Sequence, residues 1–190
     1  MNHRQRLRLQ FYRRDALEVA RDLLGRVLCR RVGPGRVLRG RIVEVEAYDG
    51  PADRASHAHR GRTPRNAPMF AAGGLAYVYR IYGVHHCLNA VTGDPSYPAA
   101  VLLRATEPPA AELSASGPGR LCRAFDVDRR LDGASLCGRT LWIEQGTPVP
   151  DREVRRTERI GVSYAGAWAA KRYRFIVRGH PAVSGPRRLR

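Results

Sequence analysis

Among the residues able to do chemistry, Glu46 stands out by its setting. The run from Arg39 to Tyr48 alternates as a strand does, so Leu38, Gly40, Ile42, Glu44, Glu46 and Tyr48 share one face while Arg39, Arg41, Val43, Val45 and Ala47 share the other. Both faces mix apolar and charged side chains. Glu46 lies between Val45 and Ala47, two residues ahead of an aromatic, and in a site that excludes water such a carboxylate can serve as a general base. The segment by itself favours a plainer arrangement, a strand-end glutamate paired with one of the chain's many arginines, so other residues have to decide.

Tyr77, Tyr79 and Tyr82 crowd around a hairpin turn. A three-residue loop Ile81-Tyr82-Gly83, with Gly83 left-handed, sets Tyr79 opposite His85 and on one face with Asn89; a two-residue Tyr82-Gly83 loop puts Tyr79 and Asn89 on opposite faces. Either way Tyr82 is at the tip. There a large ring either stacks on or wedges between bases, or folds down onto its own sheet. Gly117-Pro118-Gly119-Arg120 suits a phosphate, through the N–H groups of a helix start and the charge of Arg120, and equally describes an ordinary turn and cap. His57-x-His59 and the pair His85-His86 lack a third ligand at a metal-binding spacing, and neighbours on a strand point to opposite faces, so no metal and no cofactor is expected.

The elements that must position these groups are readable in part. The chain of 190 residues is 43% hydrophobic and 27% charged, enough for one domain that buries about 70% of its unfolded surface. Asp15 caps an amphipathic helix through Ala16, Val19, Ala20, Leu23 and Leu24, stopped by Gly25. Strands are predicted over 26–31 and 37–47, joined at Gly33-Pro34-Gly35, then over 75–81 and 84–91 around Tyr82-Gly83, and over 99–105, 140–143 and 173–177. Short helices are expected after Asp53, at Thr63-Pro64 and from Gly117. This is an α+β pattern: a single compact domain over 1–190 with a curved antiparallel β-sheet, flanking helices and a protruding β-hairpin, 1–10 being a basic N-terminal arm and 186–190 a frayed tail.

Lys plus Arg total 34 against 17 acidic residues, a formal charge of +17, which makes a polyanion the default partner. No apolar run approaches the roughly 20 residues of a membrane span and no signal peptide is visible, so a cytoplasmic protein without membrane contact is expected. Cys29, Cys87, Cys122 and Cys137 are widely spaced with no C-x-x-C, which predicts reduced, mostly buried thiols.

Several longer strings occur together and in order: Arg39-Gly-Arg-Ile-Val-Glu-Val-Glu-Ala-Tyr48, Ser56-His57, Thr63-Pro-Arg-Asn66, Met69-Phe70, Tyr77-Val-Tyr-Arg-Ile-Tyr-Gly83, Asn89, Leu102-Leu-Arg-Ala105, Gly117-Pro-Gly-Arg-Leu-Cys122, Arg159-Ile-Gly-Val162, Arg174-Phe175 and Val177-Arg-Gly179. Over nearly the whole chain they resemble the alkyladenine (3-methyladenine) DNA glycosylase family. The resemblance implies a monomeric enzyme acting on double-stranded DNA that contains damaged purines. In that pattern Glu46 is the base that activates the hydrolytic water, and Arg104 and the backbone carbonyl of Ile160 are that water's other contacts. Tyr82 is the wedge that fills the gap left by a flipped nucleotide. Tyr48, His57 and Tyr79 surround the extruded base, Asn89 crowds guanine's exocyclic amine, and Arg65, Met69 and Arg120 contact DNA. Arg120 replaces the family's lysine, which keeps charge but not flexibility, and His85 and His86 replace bulky aromatics, a change expected at the pocket rim.

The reaction implied is hydrolysis of the N-glycosidic bond of alkylated or deaminated purines, leaving an abasic site. Lys171 is the chain's only lysine and lies in no candidate catalytic segment, so a strand-nicking Schiff base is not expected. The rival is a non-catalytic nucleic-acid-binding module, against which Glu46 argues, since a pure binder gains nothing from a carboxylate facing phosphates.

Overall fold

The longest strand organises the molecule. A computed structural model describes residues 5–186. Its strands are β1 (Val27–Gly33), β2 (Arg36–Tyr48), β3 (Ala76–Ile81), β4 (His85–Thr92), β5 (Ala99–Thr106), β6 (Leu141–Glu144), β7 (Val154–Thr157) and β8 (Arg174–Val177). The helices are α1 (Leu9–Tyr12), α2 (Ala16–Leu23) and α3 (Pro118–Ala124). Every pairing is antiparallel, in the order β3-β4-β5-β2-β1-β6. The first half of β2 pairs with β1; the second half pairs with β5, and β8 takes over from β1 along its other side, carrying β7 beyond it. A register irregularity at Glu44 helps the strand to turn between these two sets of partners, and the result is one curled sheet.

Strand parity then divides the sheet into two jobs. Val45, Ala47, Val78, Leu88, Ala90, Val101, Leu103 and Ala105 are buried against Val19, Ala20 and Leu23 of α2 and Leu121 of α3, forming the main core. The other face carries a row in direct register across six strands: Thr157, Arg174, Glu46, Leu102, Asn89 and Tyr77. Polar groups therefore collect on that side because alternation puts the apolar residues on the other.

Local signals account for most element ends. The Asp15 carboxylate accepts the N–H groups of Leu17 and Glu18 at 2.8 and 3.1 Å, and Gly25, at φ 86°, ends the α2 segment in a conformation that disfavours other residues. Single 3-10 turns stand at His57–Arg60 and Ala67–Phe70, a few residues later than the helices expected there. β7 was not expected at all, because Val-Arg-Arg-Thr has no apolar alternation; it is an exposed edge strand held by β8.

The basic arm is more ordered than its composition implies. Arg6 forms a backbone bridge with Glu144, the Leu7 N–H donates to the Ile143 carbonyl at 2.8 Å and the Leu7 side chain is buried, so residues 5–7 lie along β6 before α1 begins. Residues 1–4 of that arm, and all but Pro186 of the expected frayed tail, fall outside the described residues. All four cysteines are free, Cys137 half-buried and the others buried. Among the described residues no helix is long and apolar enough to cross a membrane.

Candidate active site

Glu46 has no solvent-exposed surface. Its Oε1 accepts the Ile160 N–H at 2.8 Å, and its Oε2 accepts the Tyr48 hydroxyl at 3.0 Å and Arg104 Nη1 at 3.3 Å. Arg104 also donates Nε to Glu44 at 2.9 Å and Nη2 to Ser184 Oγ at 3.3 Å. Burial works against the Arg104 charge, but Glu46 and Glu44 outweigh it and raise its pKa. The expected ion pair of a glutamate near a strand end with an arginine is therefore present, and it lies within a buried network. Burial first, then the Glu46 charge, hold the Tyr48 hydroxyl protonated by lifting its pKa well above the usual phenol value.

Tyr48, Arg104 and Ile160, which hold Glu46, join His57, Met69, Tyr79 and Asn89 among others in lining a pocket of about 220 Å³. That is below the roughly 300–1,000 Å³ of drug-sized sites and suits one flat heterocycle. His57 and Tyr79 meet edge to face at 4.6 Å, and His57 Nδ1 lies 2.8 Å from the Tyr77 hydroxyl. Burial, followed by the positive charge of Arg65, lowers the His57 pKa, so the ring is neutral at physiological pH. Burial pushes Tyr77 up to about 12 and raises Tyr79 further, so both stay uncharged. Asn89 is 4% exposed, and its Nδ2 donates to the Tyr77 carbonyl at 3.0 Å, which fixes the amide in the pocket wall.

The β3–β4 hairpin pairs Ile81 with His85 and Tyr79 with Cys87, closing on Tyr82-Gly83-Val84 with the Val84 N–H on the Ile81 carbonyl. Neither expected register is right. The loop is three residues long, as in one of them, but is displaced by one position, because Tyr82 and Gly83 both take left-handed φ, 49° and 71°. Tyr79 and Asn89 still share a face, opposite Cys87 and Tyr77. Tyr82 is 89% exposed, which removes the reading in which it packs on its own sheet, and its ring also borders the pocket.

The remaining residues separate. Arg65 is exposed, stacks over the Tyr79 ring at 5.4 Å and donates to the Arg80 carbonyl, beside the pocket. Met69 is 2% exposed and lines the pocket. Arg120 is exposed beside the start of α3, hydrogen-bonded to the Ser116 carbonyl. His85 and His86 do not reach the pocket rim as expected; they line a separate hollow with Gly119 and Asp128, because the observed register carries them past the slot.

Sequence reading missed the framework behind the site. Glu44 accepts Arg104 Nε, Arg174 Nε at 2.7 Å, and the Ser184 N–H and hydroxyl at 2.6 and 2.9 Å. Asp53 and Arg159 form a second buried ion pair, and Asp53 also accepts the N–H groups of Asp49 and Ala55. The Arg159 guanidinium lies over the Tyr48 ring at 4.8 Å. The one available signal was the placing of Glu44 two residues before Glu46.

An aromatic-lined pocket whose wall residues grip a buried carboxylate, bordered by an exposed tyrosine on a strongly basic domain, suits an enzyme that acts on nucleic acid. The methylpurine-DNA glycosylase family model matches residues 10–181. Proteins provisionally named 3-methyladenine DNA glycosylase are similar along their length: one from Anaeromyxobacter dehalogenans (strain 2CP-1) is 53% identical, covering 93% of this chain and 84% of the relative. One from Herpetosiphon aurantiacus is 47% identical over 96% and 90%, and one from Methanocella arvoryzae 48% over 92% and 93%. The chain belongs to the methylpurine-DNA glycosylase family. It is a DNA glycosylase of base-excision repair, with DNA as its substrate.

Proposed function

We propose that the enzyme extrudes an alkylated or deaminated purine from duplex DNA into the aromatic slot and hydrolyses its N-glycosidic bond with a water activated by Glu46. The observation that carries this reading is the hydrogen-bonding of Glu46. Oε2 takes two donors and Oε1 only one, so Oε1 keeps a lone pair for a proton. The water oxygen bonds to the sugar carbon as the carbon–nitrogen bond breaks, the bonding electrons leave with the base, and the water's proton passes to Oε1. Positive charge growing on the sugar is stabilised by the same carboxylate. Arg104 and the Ile160 carbonyl complete the water's contacts.

Tyr82 fills the space the nucleotide vacates, which offsets the few kcal/mol needed to unstack it. Tyr48, His57, Tyr79 and Met69 sandwich the base. A 3-methyl- or 7-methylpurine is cationic, so the uncharged π faces favour it and it leaves without an acid. Hypoxanthine and ethenoadenine need protonation as well. Asn89, pinned against Tyr77, crowds an exocyclic amine such as that of undamaged guanine. Lys171 lies over Trp168 at 5.6 Å and does not border the slot, which supports a monofunctional reaction ending at an abasic site. Arg65 and Arg120 contact the DNA outside the slot, and the enzyme acts as a cytoplasmic or nucleoid-associated monomer. Incubating the protein with duplexes carrying hypoxanthine or 7-methylguanine, then with mild alkali, should break the strand at the lesion alone; intact strands after alkali would overturn the reading.

A further inference from the structure

The sheet row through the site does not stop at Glu46. It continues through Arg174 and Thr157 onto β7, the edge strand, where Arg155 lies on the same face two residues from Thr157. Here a groove of about 350 Å³ is lined by Arg155, Arg156, Thr157, Glu158, Ile160 and Arg172, with Arg159 and Arg174 at its base. Ile160, whose N–H holds Glu46, is a wall of both this groove and the base slot.

The charges in the groove differ with depth. Arg174 and Arg159 are buried and bound to Glu44 and Asp53, so they are already neutralised. Arg155, Arg156 and Arg172 are exposed, with Glu158 as the groove's one carboxylate. Among the described residues neither Arg156 nor Arg172 forms an ion pair; Arg156 Nε donates to the Arg172 carbonyl and its guanidinium covers Phe175 at 4.9 Å. The exposed Arg155 and Arg156, on a strand with no neighbour on its outer side, and Arg172, just before β8, make a surface for a chain of anions.

We propose that this groove is a phosphate track: it takes the backbone of the damaged strand on one side of the extruded nucleotide, the strand leaving the slot past Ile160. The inference rests on the slot being the base's site, because only then does the strand pass Ile160. It gives the enzyme an asymmetric footprint, with the Tyr82 hairpin on one side of the slot and the β7–β8 arginines on the other. The alternative role for charge on an edge strand, keeping another chain from pairing with it, predicts association of the variant and unchanged DNA binding.

The test uses the full chain and the variant Arg155→Gln/Arg172→Gln, beside Arg36→Gln/Arg139→Gln, an equal loss of exposed charge in residues that do not line the slot or the groove. Binding to a lesion duplex is measured across a salt series. Loss of two phosphate contacts lowers the log–log slope by about 1.8, since each contact is worth about 0.9. That drop is expected in the groove variant and not in the control, and it should vanish for a duplex cut flush on one side of the lesion but persist when cut on the other. Single Arg172→Gln, outside the strands, should give about half the change and serves if the pair does not fold. An unchanged slope, an equal drop in the control, or association of the variant with DNA binding intact overturns the track. Base release by the unaltered protein is scored separately: if the slope drops but no base is released, the slot reading fails, and with it the claim that this strand flanks a flipped nucleotide.

Discussion

Glu44 and Glu46 stand two residues apart on one strand, on one face, both without exposed surface, yet their hydrogen bonding differs. Glu44 is saturated: two guanidinium groups and both polar groups of Ser184 occupy its oxygens, about as many donors as a carboxylate accepts. Glu46 has three donors, and the residues that supply them, Tyr48, Arg104 and Ile160, line the pocket. Glu44 with Arg104, Arg174 and Ser184, and Asp53 with Arg159, form a closed framework; Glu46, His57 and Tyr82 keep spare capacity. Burial alone therefore does not distinguish the two carboxylates; the number of donors on each does, and the proposed role of Glu46 as base uses its unfilled lone pair.

The sharpest way to break this contrast is to neutralise each carboxylate. Glu46→Gln should lower single-turnover base release by about 10²–10⁴-fold, since the amide cannot take the water's proton, while affinity for lesion DNA stays within about tenfold. Stability should change less than for Glu44, because Arg104 keeps Glu44 and Ser184. Glu44→Gln should do the reverse. Removing one partner of a buried ion pair costs about 3–5 kcal/mol. In a domain of this size that lowers Tm by about 6–20 °C. If Glu44→Gln kept its melting temperature and lost only activity, the division into framework and chemistry would be wrong.

The same contrast holds among the tyrosines. Tyr77 is buried and hydrogen-bonded, whereas Tyr82 is 89% exposed and sits at a left-handed φ that disfavours a bulky residue. Truncating a ring that touches little should leave Tm unchanged. With stacking worth about 1–3 kcal/mol, Tyr82→Ser should lower the flipping equilibrium by about 5- to 150-fold, read from 2-aminopurine fluorescence beside the lesion. A well-stacked hypoxanthine should suffer more than a mismatched one. A lowered Tm with flipping intact would return Tyr82 to the framework.

What was legible in the sequence follows the same line. Alternation in β2, the turn between β3 and β4, the apolar run of β5 and the starts of α2 and α3 are local patterns, so these elements were readable to within a residue or two. Glu46, Tyr79 and Asn89 were readable as a constellation only because a resemblance put them together; parity alone left the hairpin open between two registers, which missed the observed pairing by one and by two positions. β7 was unreadable because its arginines carry no apolar alternation and its place is set by β8. The partners of Glu44 lie 60 to 140 residues away, and no local rule joins Glu44 to Arg104, Arg174 and Ser184 across the curl of the sheet.

The smallest expected effect concerns His57, which belongs with the groups that keep spare capacity although one of its nitrogens is engaged by Tyr77. Burial and the nearby Arg65 lower its pKa in the folded protein from the ordinary 6.5. As pH falls below 6.5 the unfolded chain takes up this proton before the folded one does, so the unfolded state binds more protons and folding stability declines with acid in that window; above it the residue contributes nothing. Once protonated, His57 also places a positive charge against the slot, where it opposes a cationic purine and leaves a neutral one unaffected by that repulsion. His57→Gln should therefore flatten the fall of Tm below pH 6.5 slightly, and should remove part of the acid-side loss in 7-methylguanine affinity while leaving hypoxanthine affinity nearly parallel to wild type. Binding is measured with the Glu46→Gln background so that base release does not intervene. Identical acid limbs for both bases, with and without His57, would show that its charge never reaches the slot, and the residue would then count with Tyr77 as part of the wall.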